Sequence, residues 1–259
     1  MTGSADMSAR LWDVQTGKQL FTWKHRTPVS AVGIGLGDQQ VLTVNAPVMS
    51  SKPAIFIYDL DKSDNYANNS MDPVVEMLGH TGKITMAHWG PLNETIFSCS
   101  EDGTVRCWNP ENGKEMNCVK AHDKGIQAMN MSKDGTHFIT ASLDHTAKLW
   151  DTETMTCLAT YKSNAPVNAA AINPQKNFII LGGGQDAGAV TTTDARLGNF
   201  ETKWFNKIYA EEIGCVTGHF GPINSLDFSY DGMSFATGSE DGYARIWHLP
   251  SGFMEVQDH

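Results

Sequence analysis

A pattern of four side chains that recurs at fixed spacing is the feature that most constrains the fold of this chain. An aspartate follows a serine by two residues and precedes a tryptophan by six, and in three copies a histidine lies 22 residues before the aspartate. The three complete copies are His80, Ser100, Asp102 and Trp108; His122, Ser142, Asp144 and Trp150; and His219, Ser239, Asp241 and Trp247. Because identical spacing in three copies does not arise by chance, the chain is built from repeats.

Three further copies are incomplete. The first ends at Trp12 and has no histidine, and the second has His25 near its start and Tyr58-Asp59 in place of Trp-Asp. The third keeps the 22-residue interval but begins at Asn164, and Thr192 stands where its tryptophan is expected. The copies recur about every 42–50 residues, near the period of WD40 repeats.

Each complete copy predicts three short strands and no helix. Apolar and polar residues alternate in Ile84–Trp89, Ile126–Met131 and Ile223–Phe228, and turn formers such as Lys133-Asp134-Gly135 follow. Strands at even spacing predict an all-β chain, and the WD40 pattern predicts a propeller whose radial repetition leaves only short sheet edges. In WD40 repeats the His, Ser, Asp and Trp side chains form a hydrogen-bonded chain across each blade. A hydrolase triad is the competing interpretation, but an enzyme does not need three dispersed copies.

Composition narrows the function classes. The net charge is −10 and no basic run occurs, which argues against direct binding of nucleic acid. Five cysteines without a C-x-x-C motif predict free thiols rather than disulfides or a zinc site. No apolar stretch reaches the roughly 18 residues of a membrane span. The Gly182-Gly183-Gly184 run could cradle phosphate, but it lacks a following Lys-Ser/Thr and predicts a tight turn. We therefore expect no catalytic residues, metal or cofactor.

Several longer segments resemble one family, subunit i of eukaryotic translation initiation factor 3. They are LGGGQDAGAVTTTD at 181–194, GHFGPINS at 218–225, TGSADMSARLWDVQTGKQL at 2–20 and TASLDHTAKLWD at 140–151. The first two are more specific than the WD pattern, and the resemblance covers essentially the whole chain. One departure is Ala189, at which the family tends to have an acidic residue.

The resemblance implies a non-catalytic, cytoplasmic scaffold with a seven-bladed propeller. It implies docking onto the b and g subunits of the factor, indirect contact with the small ribosomal subunit, and support of preinitiation complex assembly and scanning. The alternative is another WD40 adaptor, in signalling or ubiquitin-ligase assembly.

The family also implies where partners bind. We expect a basic or amphipathic segment of the b subunit to dock on one blade and its neighbour, because acidic and aromatic residues are abundant there. The 196–214 segment is interpreted as an insertion that forms an outer ribbon or a docking site. The predicted partner-binding residues are Gln185, Asp186, Thr191, Thr192, Thr193, Tyr209, Glu211 and Glu212.

Family chains begin about one and a half blades earlier, so we expect an N-terminally truncated, incomplete ring of about five blades and a half-blade. The predicted boundaries are 1–24 for the half-blade, 25–79, 80–120, 121–161 and 162–217 for four blades, 218–248 for a three-stranded last blade and 249–259 for a tail. This arrangement would leave the strands near Ser8–Trp12 and Tyr243–Trp247 as unpaired edges.

Overall fold

The computed structural model describes residues 1–48, 51–66, 68–184 and 200–250. The chain divides into two compact units, Met1–Gly125 and Ile126–His259, and each is described by itself. Within the described ranges every sheet is antiparallel and the helices are two short 3-10 turns, Ser63–Tyr66 and Pro91–Asn93. The predicted all-β fold class is confirmed.

The first unit holds one three-stranded and two four-stranded sheets, in which strands follow each other in chain order. The first sheet contains β1 (Thr2–Gly3), β2 (Ser8–Trp12) and β3 (Gln19–Lys24). The second contains β4 (Val29–Ile34), β5 (Gln40–Asn45), β6 (Ala54–Asp59) and β7 (Val75–Leu78). The third contains β8 (Ile84–Trp89), β9 (Ile96–Ser100), β10 (Thr104–Trp108) and β11 (Glu115–Lys120).

The second unit repeats this plan with two four-stranded sheets and a three-stranded one. The fourth sheet contains β12 (Ile126–Met131), β13 (His137–Ser142), β14 (Thr146–Asp151) and β15 (Cys157–Lys162). The fifth contains β16 (Val167–Ile172), β17 (Phe178–Gly183), β18 (Thr202–Asn206) and β19 (Glu212–Val216). The sixth contains β20 (Ile223–Phe228), β21 (Ser234–Ser239) and β22 (Ala244–His248).

Apolar side chains bury the faces between neighbouring sheets. In the first unit Leu42 and Ile55 of the second sheet share one cluster with Ile84 and Trp108 of the third. The second strands of these two sheets therefore read as nearly continuous buried runs, since β5 is buried at all but its first position and β9 at every position. Burial on both faces explains why these strands are apolar without strict alternation.

The predicted turn at Lys133-Asp134-Gly135 lies between β12 and β13. Gly135 has a φ of 70°, and Asp134 accepts hydrogen bonds from the Ser132 hydroxyl at 2.6 Å and the Thr136 amide at 3.1 Å. Burial alone would raise the pKa of Asp134, but these hydrogen bonds lower it to about 2. The carboxylate therefore stays ionised and fixes the turn.

The third strand of the fifth sheet differs from the prediction. It is β18, in which Phe205 lies opposite Ile179, just as Trp150 lies opposite Phe138 in the fourth sheet. Phe205 thus occupies the position assigned to Thr192, which itself lies outside the described residues. The spacing argument failed because the chain between β17 and β18 is longer than in the other copies.

The interpretation of 196–214 as an insertion was accordingly wrong for the part that the structure describes. That part supplies the third and outer strands of a regular four-stranded sheet. Trp204 and Phe205 are only 4% and 3% exposed, so they belong to the core and are not available to a partner. These two aromatic side chains therefore serve packing.

The glycine run is also not a tight turn. Gly182 and Gly183 are buried residues of β17 itself. A Cβ at Gly182 would lie 2.7 Å from Cγ2 of Ile223, so this position needs a glycine for close packing against the sixth sheet. The cysteines are free as predicted, but only Cys99 and Cys107 are buried.

Candidate functional site

A buried hydrogen-bonded chain joins the repeat residues of the third sheet. Nδ1 of His80 lies 2.9 Å from Oδ2 of Asp102, and Nε2 lies 2.8 Å from Oγ of Ser98. The same Ser98 hydroxyl accepts the Trp108 indole N–H at 2.8 Å. Asp102 also accepts the amide of Thr81 at 3.0 Å, so its carboxylate links the histidine loop to the turn before β10.

The sixth sheet repeats this geometry almost atom for atom. His219 places Nδ1 2.9 Å from Oδ2 of Asp241 and Nε2 2.7 Å from Oγ1 of Thr237. Thr237 accepts the indole N–H of Trp247 at 3.0 Å, and Asp241 accepts the amide of Phe220 at 3.0 Å. Two copies with matching distances indicate one structural device.

The hydroxyl in this chain is not the predicted one. Ser100, Ser142 and Ser239 instead accept the amide of the aspartate two residues later, at 3.1, 3.2 and 3.3 Å respectively. The bridging hydroxyl lies four residues before the aspartate. The sequence did carry a signal for it, because a Ser or Thr occupies that position in each copy that keeps the motif: Thr2, Ser98, Thr140 and Thr237.

The fourth sheet holds the aspartate and the tryptophan of the remaining predicted copy. Trp150 donates its indole N–H to Thr140 at 3.0 Å, which matches the corrected position of the hydroxyl. Asp144 accepts the Thr146 hydroxyl at 2.6 Å. His122 is 2% exposed and belongs to the first unit, whereas Asp144 belongs to the second.

Burial and hydrogen bonding set the charge state of the third-sheet network. Burial alone would raise the pKa of Asp102, but hydrogen bonds from Thr104, His80 and the Thr81 amide hold it well below its usual range. Burial lowers the pKa of His80, and the neighbouring Asp102 only partly offsets this. A neutral imidazole that bridges an ionised carboxylate and a hydroxyl follows from these shifts.

This geometry does not suit a hydrolase. Ser98 is 0% exposed and its hydroxyl is already bonded to both a histidine and an indole. A nucleophile must be reachable by its substrate, whereas this one is enclosed by its own sheet. The repeat residues therefore hold the sheet together.

Three of the predicted partner-binding residues lie in or beside the hairpin between β18 and β19. Tyr209 is 72% exposed, and Glu211 and Glu212 are also exposed. Glu212 forms an ion pair with Lys203 at 3.0 Å, and Lys203 is itself mostly buried. Gln185, Asp186, Thr191, Thr192 and Thr193 lie outside the described residues.

The hairpin stands at one end of the fifth sheet. Asn206, at its base, lies opposite Phe178 at the start of β17, whereas Gly184 follows the other end of that strand. With about 3.3 Å per residue, a six-residue strand separates the two ends by on the order of 17–20 Å. Tyr209 and Glu211 thus form a surface separate from Gly184.

In the parts of the chain that the structure describes, no group of three or more His, Cys, Asp or Glu side chains could hold a metal ion. No helix in those parts is both long and apolar enough to cross a membrane.

The sheets and their repeated His-Asp-hydroxyl-Trp networks define a WD40-repeat protein, the class whose repeats build β-propellers. The family model EIF3I matches residues 1–258, so the chain belongs to the EIF3I family. It is 40% identical over 255 residues to the eukaryotic translation initiation factor 3 subunit I of Bombyx mori, covering 98% of this chain and 77% of that protein.

The likeness extends across animals. The proteins of the same name from Drosophila melanogaster and Homo sapiens are each 40% identical, over 256 and 257 residues. The matched regions cover 98% and 99% of this chain and 78% of either relative. The resemblance drawn from the sequence is confirmed, and the homologues are components of a translation initiation factor.

Proposed function

We propose that this protein is a non-catalytic scaffold subunit of eukaryotic translation initiation factor 3, which supports preinitiation complex assembly and scanning through protein–protein contacts. The family match over residues 1–258 carries this proposal. The repeat geometry supports it as well, because the residues that most resemble a catalytic set are buried and already hydrogen-bonded to each other within the sheets. What remains for function is the surface that the sheets present.

The proposed partners are the b and g subunits of the factor, with the small ribosomal subunit reached indirectly and the complex working in the cytoplasm. An acidic protein with a net charge of −10 favours basic protein segments over nucleic acid, because phosphate backbones require clustered Lys and Arg. The partner contacts are proposed from the family resemblance and from this charge.

The exposed hairpin is the described part of the proposed b-subunit site. Tyr209 offers a large amphipathic side chain, and Glu211 meets no cation within the described part of the chain. Because Lys203 neutralises Glu212, Glu211 is the freer charge of the two. The charge of this surface would speed and orient the docking of a basic segment more than it would increase the affinity.

Affinity purification of the tagged full chain from eukaryotic cells, with mass spectrometry of the bound proteins, tests the proposed function. We expect stoichiometric recovery of other initiation factor 3 subunits, including b and g. Recovery of a ubiquitin-ligase or signalling assembly in their place would favour the alternative, a different WD40 adaptor, and would overturn the proposal.

A further inference from the structure

Two aromatic side chains of the sixth sheet's network are strongly exposed. Phe220, which follows the network histidine, is 83% exposed, and Tyr243, two residues after the network aspartate, is 63% exposed. A single exposed aromatic residue needs no explanation, but two at neighbouring positions of one motif mark a candidate interaction surface.

Both aromatic residues are anchored to the same carboxylate. The amide of Phe220 donates to Oδ2 of Asp241 at 3.0 Å, and the amide of Tyr243 donates to Oδ1 at 2.9 Å. The side chain of Asp241 is only 6% exposed, so it ties the two loops together from inside. The two aromatic residues therefore lie side by side at one end of the sixth sheet.

Other copies of the repeat have small polar residues here. The third sheet has threonines at both positions, Thr81 and Thr104. The hydroxyl of Thr104 donates to Asp102 at 2.6 Å, a bond that Thr146 repeats in the fourth sheet. The sixth sheet gives up this bond, because Tyr243 stands in the place of the threonine. A departure from a local rule that costs a hydrogen bond and exposes a ring is typical of a functional surface.

The ring of Tyr243 is held in place from one side. The guanidinium carbon of Arg245 lies 5.2 Å from the centre of this ring, within the range of cation–π contacts. Arg245 is itself held by the carboxylate of Asp241, 3.7 Å away. A ring that is already oriented loses little entropy when a partner binds it, which favours affinity.

An oriented carboxylate stands beside the aromatic pair. Glu240 is exposed, and its amide donates at 3.1 Å to the carbonyl of Pro222, in the loop that also carries the first aromatic residue. Its side chain accepts a hydrogen bond from Asn224 at 2.9 Å. Because Arg245 offsets the charge of Asp241, Glu240 leaves this end of the sheet negatively charged.

Aromatic faces next to a fixed carboxylate suit a guanidinium group, which is planar, stacks on aromatic rings and pairs with carboxylates through two N–H groups. We propose that the Phe220 surface, formed by Phe220, Glu240 and Tyr243, binds an arginine side chain presented by an extended segment of a partner protein. The guanidinium stacks on an aromatic ring and donates to Glu240. The net charge of −10 favours the approach of such a basic segment.

The Phe220 surface is separate from the hairpin of the proposed function. A Cβ at Gly184 would lie 3.3 Å from Cα of Pro222, so the Phe220 surface adjoins the Gly184 end of the fifth sheet. The hairpin stands at the other end of that sheet, on the order of 17–20 Å away. The two surfaces can therefore be tested independently.

Fluorine nuclear magnetic resonance of a small labelled peptide tests the proposal on the full chain without any other subunit. The probe is the trifluoroacetylated pentapeptide Gly-Arg-Gly-Arg-Gly amide. Its matched control has citrulline in place of both arginines, which keeps their shape and removes their charge. We expect saturable broadening of the fluorine signal of the arginine peptide, and at least fivefold weaker binding of the citrulline peptide. A third peptide carries proline at both positions.

Variants of the aromatic pair make the test specific. Phe220→Thr with Tyr243→Thr should weaken binding of the arginine peptide about tenfold, because two cation–π contacts are lost. The third sheet already folds with threonine at both positions, so the double variant should fold. Tyr230→Thr is the matched control, because Tyr230 is 80% exposed in the turn between β20 and β21, at the other end of the sheet. It should leave binding unchanged.

Charge variants test the carboxylate. Glu240→Gln should weaken binding about threefold, whereas Glu153→Gln removes an exposed acid of the fourth sheet and should have no effect. No saturable broadening, equal binding of the citrulline peptide, or equal weakening by either control variant would overturn the proposal. Tighter binding of the proline peptide would overturn the choice of arginine. None of these outcomes bears on recovery of initiation factor subunits.

Discussion

Nε2 of His80 lies 2.8 Å from the hydroxyl of Ser98, and neither side chain has measurable contact with solvent. The hydroxyl lies at the centre of the third-sheet network because it also accepts the Trp108 indole N–H. The single hydroxyl of Ser98 is therefore the hydrogen-bond partner of two large buried rings. The first prediction follows from this arrangement.

Ser98→Ala should lower the free energy of unfolding by about 1–3 kcal/mol, because two buried polar groups lose their common partner. Ser100→Ala is the matched control, since Ser100 is equally buried on β9 but accepts only a backbone amide at 3.1 Å. It should cost about 1 kcal/mol. Urea unfolding followed by circular dichroism measures both, and a larger cost for Ser100→Ala would refute the assignment of the bridge.

Lowering the pH should reduce the free energy of unfolding in two stages. The pKa of His80 is lower in the folded chain than its ordinary 6.5, so the unfolded chain binds a proton there first as the pH is lowered. The stability that this histidine contributes above pH 6.5 is therefore lost as the pH falls below that value. Asp102 acts in the same direction below its ordinary 3.8, because its folded pKa is also depressed.

Urea midpoints measured from pH 7.5 to 5.5 test the histidine stage. His80→Gln should flatten this slope without abolishing it, because burial also lowers the pKa of His25. His137→Gln removes a histidine that lies outside the network and is the control. An unchanged slope in His80→Gln would show that the network does not hold this histidine neutral.

Gly182→Ala should destabilise the chain by roughly 1–3 kcal/mol through overpacking, since its Cβ would lie 2.7 Å from Cγ2 of Ile223. Gly214→Ala in β19 is the control, because a Cβ there meets nothing within 4 Å. The midpoints of thermal unfolding of both variants test this prediction. Equal midpoints would mean that Ile223 can shift without cost.

Reversing the charge of the exposed hairpin should weaken capture of the b subunit. Glu211→Lys with Glu212→Lys should reduce the association rate more than it raises the dissociation rate, because exposed charges mainly steer encounter. Glu153→Lys changes an exposed acid in the corresponding hairpin of the fourth sheet and is the control. Surface plasmon resonance measures both rates, and unchanged rates for the double variant would remove this hairpin from the site.

Repetition let the sequence determine much of this protein by itself. Equal spacing of His, Asp and Trp located the strands and identified the residues that pair in the third and sixth sheets, because a repeated unit must place equivalent atoms equivalently. The family-specific segments determined the family, which is confirmed over residues 1–258. These inferences depend only on positions along the chain.

Tertiary structure decided the rest. Ser98 and Ser100 lie on the same face of β9, because side chains alternate along a strand, and only the distance to His80 selects Ser98. Phe205 could be recognised as the equivalent of the repeat tryptophan only from its pairing with Ile179, since the connection before β18 breaks the repeat spacing.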